Sequence, residues 1–213
     1  VWLLVPWAQD VLDMIERGDV KLEEYHLSQW RLMHIGAQPV PPSLIKRWLT
    51  VFPHHQYDTN YGLSESIGPG CVHLGVDNVH KVGAIGKAGY GWQTRIVDER
   101  GNDVAPGEVG ELIVRGDGVM LCYYKNKEAT DEVLHGEWLH TGDMARRDQD
   151  GYFYIVGRRS RFIKMAGKRI GLDQVERILR AAFPNLDLAC AGKDDDLHVY
   201  IALPGQQSAD AGA

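Results

Sequence analysis

The sequence has few cysteines, no long apolar run and no excess of positive charge. Its three cysteines, Cys71, Cys122 and Cys190, are odd in number and widely spaced, which argues against a disulfide framework or a zinc site and fits a reducing, cytoplasmic location. No apolar stretch approaches the roughly 20 residues of a membrane span, and no basic region precedes the first apolar residues as in a signal peptide. A formal net charge of −6 argues against electrostatic binding to nucleic acid or anionic membranes.

Glycine, by contrast, is abundant. The 213 residues include 24 glycines, about 11%, against about 7% in average proteins. Hydrophobic residues at 44% and charged residues at 24% are typical of a globular chain and exclude a disordered chain or a coiled coil. So many glycines indicate tight turns, or backbone that passes close to a ligand.

Residues 1–81 predict an α/β subdomain. Strands expected at 1–5, 31–35 and 56–61 alternate with two helices, one with Pro6 in its first turn and one that starts at Pro41-Pro42-Ser43. This alternation is typical of a mainly parallel sheet.

Residues 82–157 predict a β-rich subdomain, either a barrel or a distorted sheet. Glycines punctuate short segments there. Asn126 is expected to cap a short helix. The expected strands lie at 92–97, 111–114, 119–124, 138–140 and 152–156.

Residues 158–213 predict a hinge and part of a small α+β domain. A hairpin that turns at Ala166-Gly167 precedes a helix and two strands, in the order β-β-α-β-β. The run Asp194–Asp196 is expected to be a solvated turn. One helix face is expected to be apolar, formed by Leu172, Val175, Ile178, Leu179, Ala182 and Phe183.

The segment Asn60-Tyr61-Gly62-Leu63-Ser64-Glu65 follows a strand and combines groups suited to a nucleotide. An aromatic ring can stack on a purine, and an amide can satisfy an exocyclic amine. A hydroxyl can donate to a phosphate oxygen, and a carboxylate can hold Mg²⁺. The plain alternative is a turn in which Tyr61 packs and Glu65 is solvated.

Two further groups are weak signals on their own. The aspartate of Thr141-Gly142-Asp143 can accept both hydroxyls of a ribose, although many turns have this sequence. Arg158 can bind ribose or phosphate, and Lys164 offers a mobile positive charge. The alternative for Gly157-Arg158 is a solvated basic linker.

Together, and in this order, these segments resemble the motifs of the adenylate-forming superfamily, which includes acyl-CoA synthetases, peptide-synthetase adenylation domains and firefly-luciferase-like enzymes. Residues 61–65 resemble its adenine and magnesium motif, 107–124 its Gly-Glu-Leu…Gly-Tyr segment, and 138–143 its ribose motif. Residues 157–167 resemble its hinge, and Gly36-Ala37 the stretch that lines its acyl pocket. The resemblance implies the end of a large N-terminal domain, α/β plus a β-rich subdomain, followed by the start of the small α+β C-terminal domain.

The resemblance also implies a two-step activation of a carboxylic acid, fatty or related. The carboxylate attacks the α-phosphate of ATP to give an acyl-adenylate and pyrophosphate, and the thiol of CoA or of a carrier-protein phosphopantetheine then displaces AMP. By similarity, Tyr61 stacks on adenine, Asn60 meets its edge and Gly62 lets the backbone pass close. Ser64 touches phosphate and Glu65 holds Mg²⁺.

Similar assignments follow for the later motifs. Asp143 binds the ribose hydroxyls, and Arg158 supports ribose or phosphate. In the superfamily the small domain swings between the two steps. Gly167 then lines the pantetheine tunnel, Lys164 faces the site during thioester formation, and Arg169 reaches phosphate in the other pose.

The sequence also departs from the superfamily. No Ser/Thr/Gly-rich phosphate loop precedes Asn60, and no lysine follows Lys193, where the adenylation lysine is expected. We therefore expect an internal piece of a longer enzyme, inactive alone; the alternative is a truncated protein that lacks the first reaction. Ser64 replaces the usual Thr and keeps the hydroxyl, whereas Ser160-Arg161 stands where the hinge usually carries Asp or Lys followed by an acidic residue.

Four other hypotheses stay open or fail on the sequence. The acyl group can pass to a carrier protein or stay on AMP, and the chain can be a non-catalytic nucleotide-binding fragment. His54-His55 is a candidate metal pair, but no acidic or cysteine ligand lies at metal spacing, so a surface loop is expected there. Residues 83–91 lack the βαβ spacing of a dinucleotide motif.

Overall fold

The computed structural model describes residues 1–36, 40–68, 70–75, 79–183 and 186–202. They form two compact units: one holds residues 1–141 and 145–155, and the other holds residues 142–144 and the chain from Val156 onward. The boundaries predicted after residues 81 and 157 stay a prediction. Among the described residues, no helix is both long and apolar enough to cross a membrane.

The first unit begins with a five-stranded mixed sheet. Its strands, in spatial order, are β1 (Trp2–Leu4), β2 (Leu32–Gly36), β3 (Gln56–Tyr61), β4 (Cys71–Leu74) and β5 (Lys87–Ala88). The three predicted strands, β1 to β3, pair in parallel as expected, whereas β4 and β5, which were not predicted, extend the sheet with antiparallel pairs. A parallel pair needs a crossover connection, and no α-helix of the described residues lies between β3 and β5.

Two helices, α1 (Val5–Glu16) and α2 (Pro42–Val51), connect the parallel strands as predicted. Each has a proline in its first turn, where the missing N–H removes no intrahelical hydrogen bond. Their apolar faces cover one face of the sheet. Burial of this apolar surface stabilises the fold by about 25 cal/mol per Å². The core consists of Val5, Ala8, Leu12, Met33, Ile35, Leu44, Ile45, Trp48, Phe52 and Tyr57.

His55 is buried beside this core, so the prediction of a surface loop is wrong for this residue. Its ring stacks on Phe52 with centroids 4.6 Å apart, and its Nδ1 accepts a hydrogen bond from Trp48 Nε1 at 3.3 Å. Burial lowers the pKa of His55. A neutral ring is what the acceptor role of Nδ1 requires.

The β-rich segment forms a second sheet with an open strand order. It contains β6 (Gln93–Val97), β7 (Val109–Arg115), β8 (Leu134–His135), β9 (Trp138–Arg147) and β10 (Phe153–Arg158). The order is β10-β9-β7-β6, and β8 pairs with β9. The predicted short helix is confirmed as α3 (Lys127–Val133), and Asn126 Oδ1 caps it by accepting from Ala129 N–H at 3.1 Å.

The prediction of a strand at 119–124 is wrong. Residues 119–124 form no strand, because the Met120 N–H donates to Glu65 O at 2.7 Å instead of to a strand partner. Thr141-Gly142-Asp143, whose sequence is common in turns, lies inside β9. Gly142 has a φ of +70°, which bends a strand locally without ending it.

The second unit has the predicted order β-β-α-β-β. β11 (Phe162–Met165) and β12 (Lys168–Gly171) form one hairpin, α4 (Leu172–Ala182) follows, and β13 (Asp187–Lys193) and β14 (Asp196–Ala202) form the other. Leu172, Val175 and Leu179 of α4 pack with Ile163 and Cys190. Ile178, Ala182 and Phe183 are exposed, the first and the last by 61% and 52%, so the predicted apolar face is buried only in part.

Lys81 ties the 3₁₀ turn at 79–81 to the turn at 148–151. Its Nζ lies 2.9 Å from Asp148 Oδ2 and 2.6 Å from Asp150 Oδ2. Burial raises the pKa of Asp148, but hydrogen bonds from Lys81, the Tyr152 N–H and the Tyr154 hydroxyl outweigh it and lower that pKa to about 2.

Replacing Asp148 with asparagine is expected to remove a pH-dependent part of the stability. A carboxylate with a depressed pKa stabilises the fold above its unfolded value of about 4, and this contribution is lost as the pH falls toward about 2. We expect Asp148→Asn to lower the free energy of unfolding near neutral pH by about 1 kcal/mol after allowance for partial exposure.

Urea unfolding at several pH values measures this loss. The difference between Asp148→Asn and the unaltered protein should shrink between about pH 4 and pH 2. Asp150→Asn is the matched control, because its carboxylate is 69% exposed and should contribute little. An equal loss for Asp148→Asn at neutral and acid pH would show that the carboxylate charge is not responsible.

Candidate functional site

The predicted adenine motif lies where β3 ends and a turn begins. Asn60 and Tyr61 are the last residues of β3 and are in register with Val72 and Cys71 of β4. The segment Gly62–Glu65 follows, with Ser64 exposed and Glu65 half-buried. The strand pairing therefore fixes the backbone of Asn60 and Tyr61, and the turn that follows carries the hydroxyl of Ser64 and the carboxylate of Glu65.

Ser66 holds this turn together and was missed by the sequence analysis. Its buried Oγ accepts a hydrogen bond from the Leu63 N–H at 3.0 Å and donates to Gly68 O at 3.0 Å. A serine is common in turns for this reason, but nothing in the sequence distinguishes the bracing serine from the neighbouring Ser64.

Gly36 lies beside Asn60 at the ends of two adjacent strands. A Cβ added to Gly36 would lie 3.5 Å from Asn60 Oδ1. Because side chains alternate along a strand, both positions face away from the core that α1 and α2 cover. His34 and Asp58 lie two residues earlier on the same face, with Nδ1 2.5 Å from Oδ1. Ala37, predicted to line the acyl pocket with Gly36, lies outside the described residues.

Glu65 is held from two sides by the segment 119–124. The Tyr123 hydroxyl donates to Glu65 Oε1 at 2.7 Å, and the Met120 N–H donates to the Glu65 carbonyl oxygen at 2.7 Å. The hydrogen bond to Glu65 raises the pKa of the Tyr123 phenol, which stays a donor near neutral pH. The alternative of a freely solvated Glu65 is therefore wrong, and Tyr123 is a second residue that the sequence analysis missed.

Trp92 packs against the backbone that carries these contacts. A Cβ added to Gly116 would lie 2.8 Å from the Trp92 ring, and one added to Gly118 would lie 2.7 Å from the Ser66 carbonyl oxygen. Glycine is required at these two positions because the backbone touches the indole and the Ser66 turn directly. The ring thus keeps the segment with Tyr123 close to the turn with Glu65.

In the second unit, Asp143 of β9 and Arg158 of β10 form an ion pair. Arg158 Nε lies 2.8 Å from Asp143 Oδ1, and the side chains are 54% and 7% exposed, respectively. Arg158 is solvated, as the alternative expects, but it ends β10 and pairs with Asp143, so it is not part of a linker. The pair places a carboxylate acceptor and a guanidinium donor side by side, a combination suited to hydroxyl and phosphate groups.

The β11–β12 hairpin carries the residues predicted to act in thioester formation. Lys164, whose side chain is exposed, is in register with Arg169; the Arg169 side chain lies outside the described part of the structure. Ala166 and Gly167 have φ of +49° and +75°, the pattern of a type I′ turn. No described atom lies within 4 Å of a Cβ added to Gly167, so the backbone conformation, not crowding within the unit, favours glycine here.

Glu65 fits a magnesium ion even though it is a single carboxylate. In the part of the chain that the structure describes, no group of three or more His, Cys, Asp or Glu could hold a metal. Mg²⁺ usually takes one or two protein carboxylates and completes its shell with water and substrate phosphates. The half-buried carboxylate of Glu65, which Tyr123 orients, can be the one protein ligand in this pattern, with substrate phosphate and water as the others.

The chain is similar to known proteins in sequence and in fold. A profile described as AMP-binding enzyme matches residues 1–124. A long-chain-fatty-acid–CoA ligase from Salmonella typhimurium is 34% identical over 163 residues, which cover 75% of this chain and 28% of that protein. A feruloyl-CoA synthase from Amycolatopsis is 37% identical over 168 residues, 78% of this chain and 33% of that protein. O-succinylbenzoate coenzyme A synthetase from Bacillus subtilis, solved with ATP and a magnesium ion, has a TM-score of 0.69 at 25% identity, over 95% of this chain and 46% of that one.

The fold is therefore the mixed α/β fold of adenylate-forming, acyl-CoA synthetase-like proteins. This chain belongs to the AMP-binding enzyme family. It spans about a third or less of the length of the two curated relatives, 28% and 33%.

Proposed function

We propose that the full-length protein is an AMP-forming carboxylate–CoA ligase. The observation that carries this proposal is the segment Asn60–Glu65, in which pairing with β4 fixes the backbone of Asn60 and Tyr61, and Tyr123 orients the carboxylate of Glu65. The relatives are named as ligases and synthases that join different acids to CoA. A carboxylic acid, fatty or related, is therefore the proposed substrate class.

In the proposed first step, a carboxylate oxygen attacks the α-phosphorus of ATP, and the bond to the pyrophosphate oxygen breaks. Tyr61 stacks on the adenine, Asn60 meets its exocyclic amine, and Gly62 leaves room for the ring. Ser64 donates to a phosphate oxygen, and Glu65 would hold Mg²⁺. The ion, when bound, neutralises the charge that builds on the phosphates.

Asp143 and Arg158 would bind the ribose end of the nucleotide. The carboxylate of Asp143 accepts hydrogen bonds from both ribose hydroxyls, and its low exposure strengthens them. Arg158, more exposed, reaches ribose or phosphate oxygens. The observed ion pair keeps both side chains oriented before the nucleotide arrives.

In the proposed second step, a thiol loses its proton to solvent and its sulfur attacks the acyl carbonyl carbon. The bond from that carbon to the phosphate oxygen breaks, and AMP leaves. The turn at Gly167 lines the path of the pantetheine arm, Lys164 faces the site, and Arg169 contacts phosphate in the other pose. Gly36 and Ala37 line the acyl pocket. The small domain that begins at residue 158 alternates between the two steps against the large domain formed by 1–81 and 82–157.

CoA is the proposed acceptor of the acyl group. The proposed location of the protein is the cytoplasm. The Gly167 hairpin has a two-residue turn without inserted residues, which favours a complete thioester-forming cycle. The alternatives are transfer to a carrier protein, release of acyl-AMP, or nucleotide binding without catalysis.

A panel of carboxylic acids, incubated with the full-length protein, ATP, Mg²⁺ and CoA, tests this proposal. We expect AMP release together with an acyl-CoA thioester in mass spectra for at least one acid. AMP that appears only with a phosphopantetheinylated carrier protein would replace CoA as the acceptor. Nucleotide binding without turnover of any acid would support the non-catalytic alternative.

Asp143→Ala is expected to weaken ATP binding about 10- to 100-fold, because charge-assisted hydrogen bonds to the ribose contribute about 1.5–3 kcal/mol. Isothermal titration with ATP measures this loss. Asp103→Ala is a matched control, because Asp103 pairs with Arg95 at 2.8 Å in the same manner but outside the site. Unchanged ATP affinity in Asp143→Ala would remove Asp143 from the ribose site.

A further inference from the structure

The turn between β13 and β14 binds the β11–β12 hairpin. The Lys164 N–H donates to Asp194 Oδ1 at 2.7 Å, and the Ala166 N–H donates to Asp195 Oδ1 at 2.8 Å. In return, the Asp195 N–H donates to the Lys164 carbonyl oxygen at 2.6 Å. Asp194 and Asp195 thus form the exposed hairpin turn that was predicted, and their carboxylates also accept hydrogen bonds from the neighbouring hairpin.

These three hydrogen bonds act on the free edge of β11. β12 pairs with the other edge, so the Lys164 N–H and C=O would face solvent without the turn. Asp195 itself has a φ of +60°, a left-handed conformation that aspartate tolerates better than most residues. That conformation turns its N–H toward Lys164 while its carboxylate reaches Ala166.

The contact also holds Ala166 in an unusual backbone conformation. Its φ of +49° is a left-handed backbone conformation that residues other than Gly, Asn and Asp rarely adopt. A strained conformation persists when its surroundings hold it in place. The hydrogen bond to Asp195 holds the Ala166 amide and thereby the turn that continues into Gly167.

We infer that Asp194 and Asp195 are positioning residues for thioester formation. They fix the backbone of Lys164 and the turn at Ala166-Gly167, so that both are oriented for the pantetheine arm without touching it themselves. This inference rests on the proposed function, in which Lys164 and Gly167 act in the second step and not in adenylation.

Asp196 provides the matched control within the same turn region. Its carboxylate pairs with His198 Nε2 at 2.9 Å, and both side chains are more than half exposed. It therefore has the same charge and nearly the same place in the chain, but a different partner.

The experiment compares Asp194→Ala, Asp195→Ala and Asp196→Ala in the full-length protein, with Asp194→Asn and Asp195→Asn as conservative variants. Deuterium exchange of the peptide 162–168 reports the contact, pyrophosphate exchange reports adenylation, and single-turnover thioester formation from preformed acyl-adenylate reports the second step. We expect the two alanine variants at 194 and 195 to exchange faster in that peptide and to form thioester about tenfold more slowly. Adenylation should stay within about twofold, since each contact lies outside the adenylation residues.

The asparagine variants should recover most of the thioester rate, because their Oδ1 still accepts the hydrogen bond. Asp196→Ala should match the unaltered protein in all three measurements. Faster deuterium exchange with an unchanged thioester rate would overturn the inference, as would unchanged exchange in the alanine variants or an equal loss of both reactions. Absence of both reactions in the unaltered protein, with the exchange difference intact, would instead show that the proposed function has failed and that the contact is only structural.

Discussion

Glu65→Gln is expected to lower magnesium-dependent acyl-adenylate formation about 100- to 1,000-fold, the scale on which loss of one preorganised electrostatic contact slows catalysis. Glutamine keeps the size of the side chain. Its amide oxygen can still accept a hydrogen bond from the Tyr123 hydroxyl, which lies 2.7 Å from Glu65 Oε1. What it lacks is the negative charge that a hard cation prefers. The rate should be measured as pyrophosphate exchange over a range of Mg²⁺ concentrations in the full-length protein.

Two companion variants separate the charge of Glu65 from its orientation. Tyr123→Phe removes only the hydroxyl, so we expect a smaller loss, about tenfold, that higher Mg²⁺ concentrations partly restore. Glu132→Gln is the control: it removes an exposed carboxylate that raises the pKa of Tyr123 through space without bonding to it. If Glu65→Gln retained the rate of Glu132→Gln at every Mg²⁺ concentration, Glu65 would not be the magnesium ligand.

Arg161→Leu is expected to destabilise the second unit by about 2–3 kcal/mol, since it breaks a partly buried ion pair on one side only. Arg161 Nε donates to Asp173 Oδ1 at 2.8 Å, Nη1 to the Cys190 carbonyl oxygen at 2.8 Å, and Nη2 to Glu176 Oε1 at 2.5 Å. Glu176, only 12% exposed, also accepts from the Cys190 N–H at 2.7 Å. One guanidinium thus joins the start of β11 to both α4 and β13.

Urea denaturation measures the loss for Arg161→Leu. Arg177→Leu is the matched control, because Arg177 lies exposed on α4 and its loss should change the free energy of unfolding by less than about 0.5 kcal/mol. In the double variant Arg161→Leu with Glu176→Gln, part of the loss should return, since the unpaired buried charge is removed while the acceptor for the Cys190 N–H stays. Equal stabilities for the Arg161 and Arg177 variants would show that the network contributes nothing.

The pH dependence of this network has a definite sign. Burial raises the pKa of Glu176, but the Cys190 N–H and the Arg161 guanidinium outweigh it and lower that pKa. The carboxylate therefore stabilises the fold above its unfolded pKa of about 4.3 and loses this contribution as the pH falls through the folded value. The difference between the unaltered protein and Arg161→Leu should shrink at acid pH.

Arg161 also explains a departure from the superfamily's hinge. The resemblance places an acidic residue where this chain has Arg161, so the charge at this position is reversed. In the structure, the guanidinium is committed to Asp173 and Glu176 of its own unit. The substitution therefore has a structural role within the second unit, whatever its effect on the domain alternation that we propose.

Local signals in the sequence were sufficient for much of the fold. β3 at Gln56–Tyr61, the cap of α3 by Asn126 and the turn at Ala166-Gly167 depend on side chains and backbone preferences within a few residues. The adenine motif could be placed at the end of β3 for the same reason. These features need no knowledge of what packs against them.

Contacts between segments that are distant in the sequence could not be predicted from local signals. The apolar run 119–124 has the composition of a strand, but the packing of Trp92 on Gly116 and the bond from Met120 to Glu65 decide its conformation. Asp194 and Asp195 have the composition of a solvated turn, and only the fold brings them to Lys164. The bracing of Glu65 by Tyr123 and of Lys164 by Asp194 is therefore a property of the tertiary structure.

The most direct test of the central claim is exchange of labelled pyrophosphate into ATP by the full-length protein, with Mg²⁺ and a panel of carboxylic acids. The reverse of acyl-adenylate formation returns label to ATP only when an acid is activated, so this measurement does not depend on the acceptor thiol. We expect exchange that requires an acid and Mg²⁺ and that Glu65→Gln lowers about 100- to 1,000-fold. ATP binding without exchange for any acid in the panel would contradict the proposal that this protein forms acyl-adenylates.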